Sequence, residues 1–584
     1  MFSAIPIISV HQQVKKWATT WFASLLCIAL LLPNHYSPWL SFHQEWLSVL
    51  AICPLVGWAL WRQYIDTSPK IPWITVASLF GVSIALLQLL IGEIKFQSDA
   101  LLASIYWLLL GATTLVGYHF SSEECSNLGN NGMRSFWLAW IFAGLISFAI
   151  ANHQWLDLSL FGLFIVDFPK NGRPFANLAQ PNHLATLFLL SIIGSFFLYE
   201  SRSISAVTAT LLVTIFCQGL AMTQSRSVII GLVLAGFINH FARPQKPIRT
   251  TKWIFFIVII LYFLLVAFWP FLNKILLITD AAQSSLTRSS EPGIRITYWL
   301  SSLDAIAIHP WFGWGFGQIG MAQQATALGY QPTHTFFSSS HNIILDLMLW
   351  MGIPCTLIII ILIKNHFLDI LPTTRGSINS WSAVLGLACI LGHALVELPL
   401  LYTYFLIPTG FLCGMATSKN NFIFKTKNAI KIHNKFILAL SILCFLVFLQ
   451  ITFEYFKWED DSRNLSFELQ KYETHAAPFQ PRWNLLDQIS AMNTVARRRP
   501  TKNMSQEDVD LFKRNAERYP SSIALLRYAY AAALNGQPES SLHTLKLLCS
   551  LHKEAICSSA RSEWLAAGQN EWPELQSVIF PKYN

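Results

Sequence analysis

The feature that most constrains this chain is a recurrent apolar window of about 20 residues, the length that carries a helix across about 30 Å of hydrocarbon. Thirteen such windows fall near 18–33, 44–61, 72–91, 100–118, 135–151, 183–199, 204–222, 227–242, 253–272, 342–363, 380–397, 400–416 and 436–454. Within lipid every backbone N–H and C=O must be bonded inside the span, so windows of this length are helices. The expected fold class is an all-α polytopic membrane protein with about 13 transmembrane helices. Composition agrees: 53% of the 584 residues are hydrophobic and 12% charged, against about 25% charged in a soluble domain. Nothing in this balance points to a nucleic-acid partner; the expected surroundings are membrane lipid.

Orientation follows from where Lys and Arg sit in short loops. The segments RPQKPIRTTK (243–252) and KNNFIFKTKNAIKIHNK (419–435) are strongly basic and should face the cytoplasm. Threading the windows through them puts Lys15, Lys16, Arg62, Lys70, Arg134, Arg202, Lys364 and Arg375 on the same side. That side then holds 17 basic residues, against seven in the opposite loops up to residue 340. The N-terminus is cytoplasmic in this threading, and the long connections 34–44, 152–182 and 273–340 are exported together with the tail. Lys15 and Lys16 precede the first apolar run, but no small-x-small cleavage site follows it, so an uncleaved first span is expected.

The composition divides the chain at about residue 454. Residues 1–454 read as the membrane domain; residues 455–584 carry 16 of the 40 Lys and Arg and no spanning window. The tail reads as a soluble α-helical domain with a hairpin-repeat character, broken at Pro520 and near Gly536–Pro538. Its RRRP run (497–500) reads as solvated surface. Seven of the ten Cys lie inside spans, where they act as small apolar residues. Cys549 and Cys557 share the tail and are candidates for a disulfide if that compartment is oxidising; spacing alone leaves the pairing open.

Polar residues gather at four exported places: the cassette RPFANLAQPNHLA (173–185), TQSRS (223–227), the stretch from EPGIR (291–295) to SSSHN (338–342), and HALVELPLLYTYF (393–405). Ionisable groups at a span are costly and tend to be paired or functional, which singles out His183, His341 and His393. Arg suits an anionic phosphate group at a membrane surface because its guanidinium stays charged and presents a fork of donors. Arg226 and Arg295 are the leading candidates, with Arg173 and Arg288 in reserve. Asp460–Asp461 is the one acidic pair in the exported parts and reads as surface, so no metal site is expected. No Walker-type loop is present, and no cofactor is expected.

The cassette GRPFANLAQPNHLA (172–185) resembles the signature of bacterial protein O-oligosaccharyltransferases of the PglL/PilO type, relatives of the O-antigen ligases and Wzy polymerases, whose usual form is close to RPxGNLxQPNHLA. NHYSPWLSFHQE (34–45) resembles the family's first external loop. TQSRSVIIGL (223–232), GIRITYW (293–299), HPWFGWGFGQ (309–318), SSSHNIILDLMLWMGIP (338–354) and HALVELPLLYTYFLIPTG (393–410) follow in the family's order. One departure is Phe175–Ala176, where the family more often has a Gly.

The resemblance implies a bacterial inner-membrane glycosyltransferase with its tail in the periplasm. Its expected substrates are an oligosaccharide on undecaprenyl pyrophosphate and the Ser or Thr hydroxyls of an acceptor protein, commonly type IV pilin. It places His341 as the essential histidine, assigned here to acceptor activation with hydrogen bonding to the donor phosphate as the competing role, and Arg226, Arg295 and Arg173 at the donor pyrophosphate. Gln180, Asn182 and His183 would orient the substrate, with Tyr402 and Tyr404 on the same face; which tyrosine matters is open at this level. Two alternatives stand beside this reading. One keeps the donor chemistry and changes the acceptor, as in an O-antigen ligase or a glycan polymerase. The other is a non-catalytic carrier, which predicts internal repeats that the sequence does not display.

Overall fold

The computed structural model describes residues 7–65, 71–122, 129–158, 160, 162–167, 173–245, 248–276, 294–417, 434–472, 474 and 477–581. Among them the regular structure is helical and no strand occurs. The helices are α1 (Ile7–Leu31), α2 (Phe42–Ile65), α3 (Trp73–Leu90), α4 (Gln97–Ser122), α5 (Gly129–Trp155), α6 (Pro181–Glu200), α7 (Ala206–Thr223), α8 (Ser227–Phe241), α9 (Ile254–Ile275) and α10 (Ile294–Ile308). They continue with α11 (Ile319–Thr326), α12 (Ile343–Ile370), α13 (Ile378–Ala394), α14 (Thr403–Ala416), α15 (Asn434–Leu469), α16 (Asp487–Arg497), α17 (Gln506–Arg518), α18 (Ser522–Leu534), α19 (Pro538–Leu551) and α20 (Glu554–Asn570).

Nine helices among the described residues are long and apolar enough to cross a membrane: α1 to α7, α9 and α12. Three further expected spans, 227–242, 380–397 and 400–416, are the shorter apolar helices α8, α13 and α14. These stop short because the polar segment 223–226 and the Pro399-containing turn 395–402 take over the chain at one end of each. The last expected span, 436–454, falls within α15. The long connection 273–340 is partly helical, since it contains α10 and α11.

The chain forms two compact units. The first comprises Met1–Phe80, Tyr106–Glu291 and Ile360–Leu443, the second Gly81–Ile105, Pro292–Ile359 and Cys444–Asn584. In the first unit α6 is central: 89% of its span is buried, among α5, α7, α8 and α13. Lipid tails are as apolar as Leu, so close packing of small residues matters more here than the hydrophobic effect. Accordingly α8 meets α13 at Gly231 and Gly392, where an added Cβ on Gly392 would stand 2.9 Å from Gly231 Cα. That contact sets the first turns of α8 against the last turns of α13. On α14, an added Cβ at Gly414 would collide with the carbonyl of Thr114 on α4.

In the second unit the HPWFGWGFGQ segment packs on a break in α12. Gly352 lies at φ +76, and an added Cβ there would collide with the Trp311 carbonyl. Glycine is needed on both counts, since an L side chain is disfavoured at positive φ. The freed groups of α12 are taken up locally: Trp314 N–H donates to Leu349 O at 2.7 Å and Ile353 N–H to Pro310 O at 2.8 Å.

Helices α16 to α20 build the hairpin-like tail around Phe512, Leu525, Ala529, Leu545, Leu548 and Trp564. Cys549 and Cys557 form a disulfide, with their Cα atoms 4.9 Å apart. The RRRP run is the expected solvated surface at Arg498 and Arg499, which are exposed, whereas Arg497 is half-buried and acts as a clasp within the chain. Arg497 bonds Asp461 at 2.8 Å and Glu468 at 2.9 Å, and Arg498 and Arg499 pair with Asp508 and Glu571. Burial works against ionisation of Asp461, yet hydrogen bonds from Arg497, Phe479 N–H and Asn493, with the Arg497 charge, hold its pKa below the usual aspartate value. Asp460 pairs with Arg463, so both members of the acidic pair have partners in the chain.

Candidate functional site

The cassette is fixed from beneath before it presents any group. Its 3-10 turn, Ala176–Leu178, holds Ala176 at φ 50 and Ala179 at φ 54. The Gln154 side chain closes this turn, accepting from Phe175 N–H at 3.1 Å and Ala176 N–H at 2.8 Å and donating to Ala176 O at 3.1 Å. Asn177 is buried; its amide donates to Leu31 O and its carbonyl accepts from His35 and Gln44. The residue types of 34–45 and 173–185 thus serve each other. Gln180 then caps α6 and Pro181 opens it, a position where the missing N–H costs nothing.

From this base three polar segments of the first unit meet. Asn182 Nδ2 donates to Glu397 Oε1 at 2.7 Å, and Ser225 Oγ donates to Asn182 Oδ1 at 2.8 Å. Ser225 Oγ also lies 2.8 Å from Ser227 Oγ, and the Ser225 carbonyl accepts from Tyr262 OH at 3.1 Å. Arg226 follows as the N-cap of α8 with its side chain exposed. Arg173 is half-buried and reaches the carbonyl of Thr223 at 3.4 Å.

His183 is 1% exposed. Its Nδ1 lies 3.0 Å from Tyr404 OH, and its ring stands edge-on to Tyr402 with centroids 4.5 Å apart. The structure separates the two tyrosines that the sequence left equivalent: Tyr404 is buried against His183, whereas Tyr402 is half-buried. The first turn of α14 below them is held by Glu45, which accepts from Thr403 N–H, Trp39 Nε1–H and Ser41 Oγ–H, and also from Tyr106 OH. His393 Nδ1 lies 2.6 Å from Thr186 Oγ1.

His341 and Arg295 belong to the second unit. Arg295 is exposed on the first turn of α10. His341 is half-buried and held at φ 57, a conformation that is uncommon for a residue with a Cβ. Asp346, buried on the first turn of α12, holds the turn: its carboxylate accepts from Ser339 Oγ at 2.6 Å, Ser340 N–H at 2.7 Å and Ser340 Oγ at 2.7 Å. Ser339 Oγ in turn accepts from His341 N–H at 3.0 Å. Tyr298 lies stacked beside the imidazole, centroids 6.5 Å apart, and burial pushes its phenol above the usual range, so it stays neutral. Arg288 and Glu291–Gly293 of the EPGIR motif lie outside the described residues.

The sequence reading named Asn182, His183, Tyr402 and Tyr404, and the structure brings them together. It did not name Glu397, Asp346, Ser225 or Glu45. The signal for the three acids was an ionisable residue bordering an apolar run, the same rule that singled out the histidines.

Residues 210–360 match an O-antigen ligase family, residues 381–564 the C-terminal region of a family of virulence factor membrane-bound polymerases, and residues 174–199 a protein glycosylation ligase family. The chain is 30% identical over 432 residues to a ComP-specific O-oligosaccharyltransferase of Acinetobacter baylyi, covering 73% of this chain and 75% of the relative. It is 29% identical over 403 residues to a general O-oligosaccharyltransferase of the same organism, covering 67% and 68%. By the extent of this similarity, the chain belongs to the bacterial O-oligosaccharyltransferase family of the PglL type.

Proposed function

We propose that this chain transfers a preassembled oligosaccharide en bloc from undecaprenyl pyrophosphate to Ser or Thr hydroxyls of exported proteins such as type IV pilin. The observation that carries the reading is the cassette, whose Asn182 joins Glu397 and Ser225 beside the exposed Arg226. Arg226 at the N-cap of a helix adds a fixed charge to the unpaired N–H groups and positive dipole end of α8, a natural site for phosphate oxygens. Arg295 and Arg173 supply further positive charge to the leaving group. Gln180 and Asn182 orient the sugar phosphate; His183 acts through Tyr404 and Tyr402, and Tyr402 is the tyrosine that meets substrate.

In the reaction, His341 accepts the proton of the acceptor hydroxyl as its oxygen attacks the anomeric carbon. The bond from that carbon to the pyrophosphate oxygen breaks, and its electron pair leaves with undecaprenyl pyrophosphate, which the arginines stabilise. Direct attack inverts the anomeric configuration. The activated donor supplies the driving force, and the step is metal-independent.

The topology proposed with this function is an inner-membrane chain of 13 spans with a cytoplasmic N-terminus and a periplasmic helical domain from residue 455. The exported loops are about 34–44, 152–182 and 273–340. The decisive experiment is the intact mass of a co-produced pilin in cells that supply a lipid-linked glycan, with this chain present and deleted. A glycan-sized shift that depends on the chain is expected. The match of residues 210–360 to O-antigen ligases favours a second reading, with a lipid A core or a growing polysaccharide as acceptor. An unshifted pilin together with altered surface polysaccharide would select it.

A further inference from the structure

The tail grips the segment that leads into His341 at several independent points, all within the second unit. Arg518, the last residue of α17, lays its guanidinium fork on both oxygens of Asp99 in the first turn of α4, Nε to Oδ2 at 2.8 Å and Nη2 to Oδ1 at 2.9 Å, and Asp99 abuts the segment at Gly317, where an added Cβ would stand 2.6 Å from its carboxyl carbon. Asp99 is 4% exposed there. On α11, Gln324 Nε2 donates to the carbonyls of Ala516 and Glu517 at 3.3 and 2.9 Å. Gly320, one turn earlier, lies so near the end of α17 that an added Cβ would stand 3.0 Å from Arg518 O. Further along, Ala327 packs with Leu547 and Leu551 of α19, and His334 N–H donates to Ser550 O at 3.2 Å. His552 Nε2, 2.9 Å from Pro520 O, ties the end of α19 to the α17–α18 turn, so the gripping helices are fixed to each other.

The grip reaches the histidine through Gln323. Its Oε1 accepts from Phe337 N–H at 2.9 Å and its Nε2 donates to Thr335 O at 3.1 Å. Phe337 is two residues before Ser339, whose hydroxyl holds His341 N–H. The path from the tail to the catalytic turn is therefore a chain of backbone-directed hydrogen bonds on α11. Side-chain amides aimed at main-chain carbonyls and N–H groups fix position and read no ligand.

We propose that the C-terminal helices are a positioning strap for His341, with Arg518 and Gln324 as positioning residues, and that acceptor recruitment is not their main task. The proposal rests on the reading that His341 activates the acceptor hydroxyl. Placement errors near 1 Å in a reacting group cost about 100-fold in rate, so loosening the strap should appear in turnover.

The test uses the full-length chain, a purified lipid-linked oligosaccharide, and two acceptors that carry the same Ser, a folded pilin and a short peptide. The variants are Gln324→Ala, which removes hydrogen bonds only, and the double variant Asp99→Ala with Arg518→Ala, which leaves no unpaired buried charge. With normal membrane insertion, the expected result is a fall in kcat of about 10- to 100-fold for both acceptors, with acceptor KM little changed. A rise in KM confined to the folded pilin, with peptide turnover intact, would overturn the proposal and make the tail a docking module. Unchanged turnover in both variants would also overturn it. A wild-type chain that transfers to neither acceptor would instead refute the glycosyl-transfer reading on which the proposal rests.

Discussion

Two histidine regions of this molecule solve opposite problems. Around His183 the imidazole is buried at 1% exposure with Nδ1 on Tyr404, and the polar side chains of three segments bond to one another on the ends of packed helices. Around His341 it is the backbone that is held, through Ser339, Ser340 and the buried Asp346, while the imidazole is half-buried and the residue sits at φ 57. One region fixes side chains by side chains and so keeps a shape; the other fixes a main-chain turn, and the proposed function gives the histidine on that turn the acceptor's proton. Strain at a position over-determined by its surroundings is a common mark of a working residue.

The largest effect should therefore separate the two histidines. His341→Ala is expected to abolish detectable transfer, consistent with the 10²- to 10⁴-fold typical of a general base, with expression and membrane insertion intact. His183→Ala should lower thermal stability and impair donor use, because it removes the partner of Tyr404 and the ring against Tyr402. In vitro transfer and a detergent melting curve measure both. Retained turnover in an inserted His341→Ala chain would remove that residue from catalysis, and the comparison would collapse.

A pair of matched changes asks the same question of the supporting acids. Asp346→Asn replaces a carboxylate that takes three hydrogen bonds on two oxygens with an amide whose NH2 must face at least one of those donors, and should lower kcat by roughly 10- to 100-fold through the His341 turn. Glu397→Gln can keep its bond to Asn182, and should raise donor KM by less than about tenfold with kcat nearly unchanged. If the two variants moved the same kinetic constant, the division between a shape-keeping region and a proton-handling region would be wrong.

Much of this was legible in the sequence. The long apolar windows marked the apolar helices, nine of them among the described residues long enough to cross a membrane, because the physics that sets them is local and one-dimensional, and the cassette announced itself because polar residues are rare beside such windows. The supporting acids were harder to see. Glu397 meets Asn182 across 215 positions, and Gln324 meets Ala516 across 192; no periodicity links such pairs. Asp346 was closer to hand, since it lies five residues after His341 in an otherwise apolar run. The solvated reading of RRRP fits the exposed Arg498 and Arg499 but missed Arg497 for a related reason: composition reports charge but not that Asp461 and Glu468 stand opposite it.

The smallest effect concerns backbone strain, and here the two regions can be compared on one scale. Left-handed backbone costs a residue with a Cβ roughly 1–2 kcal/mol, and glycine gives back about 0.5–1 kcal/mol through the freedom of the unfolded chain. At Ala179, which is exposed at φ 54, Ala179→Gly should thus stabilise the chain by about 0.5–1 kcal/mol. At Ala176, φ 50 and fully buried, the methyl group also contributes about 0.8 kcal/mol of burial, so Ala176→Gly should come out near zero. That balance explains how an alanine is tolerated at a left-handed position. At His341 the same scale predicts that His341→Gly melts higher than His341→Ala, since glycine relieves the turn and alanine does not, although both are inactive. Melting of the four variants in one detergent measures the series. A His341→Gly chain no more stable than His341→Ala would mean that Asp346 and the serines hold the turn at no conformational cost, and that its left-handed backbone has no bearing on why a histidine is kept there.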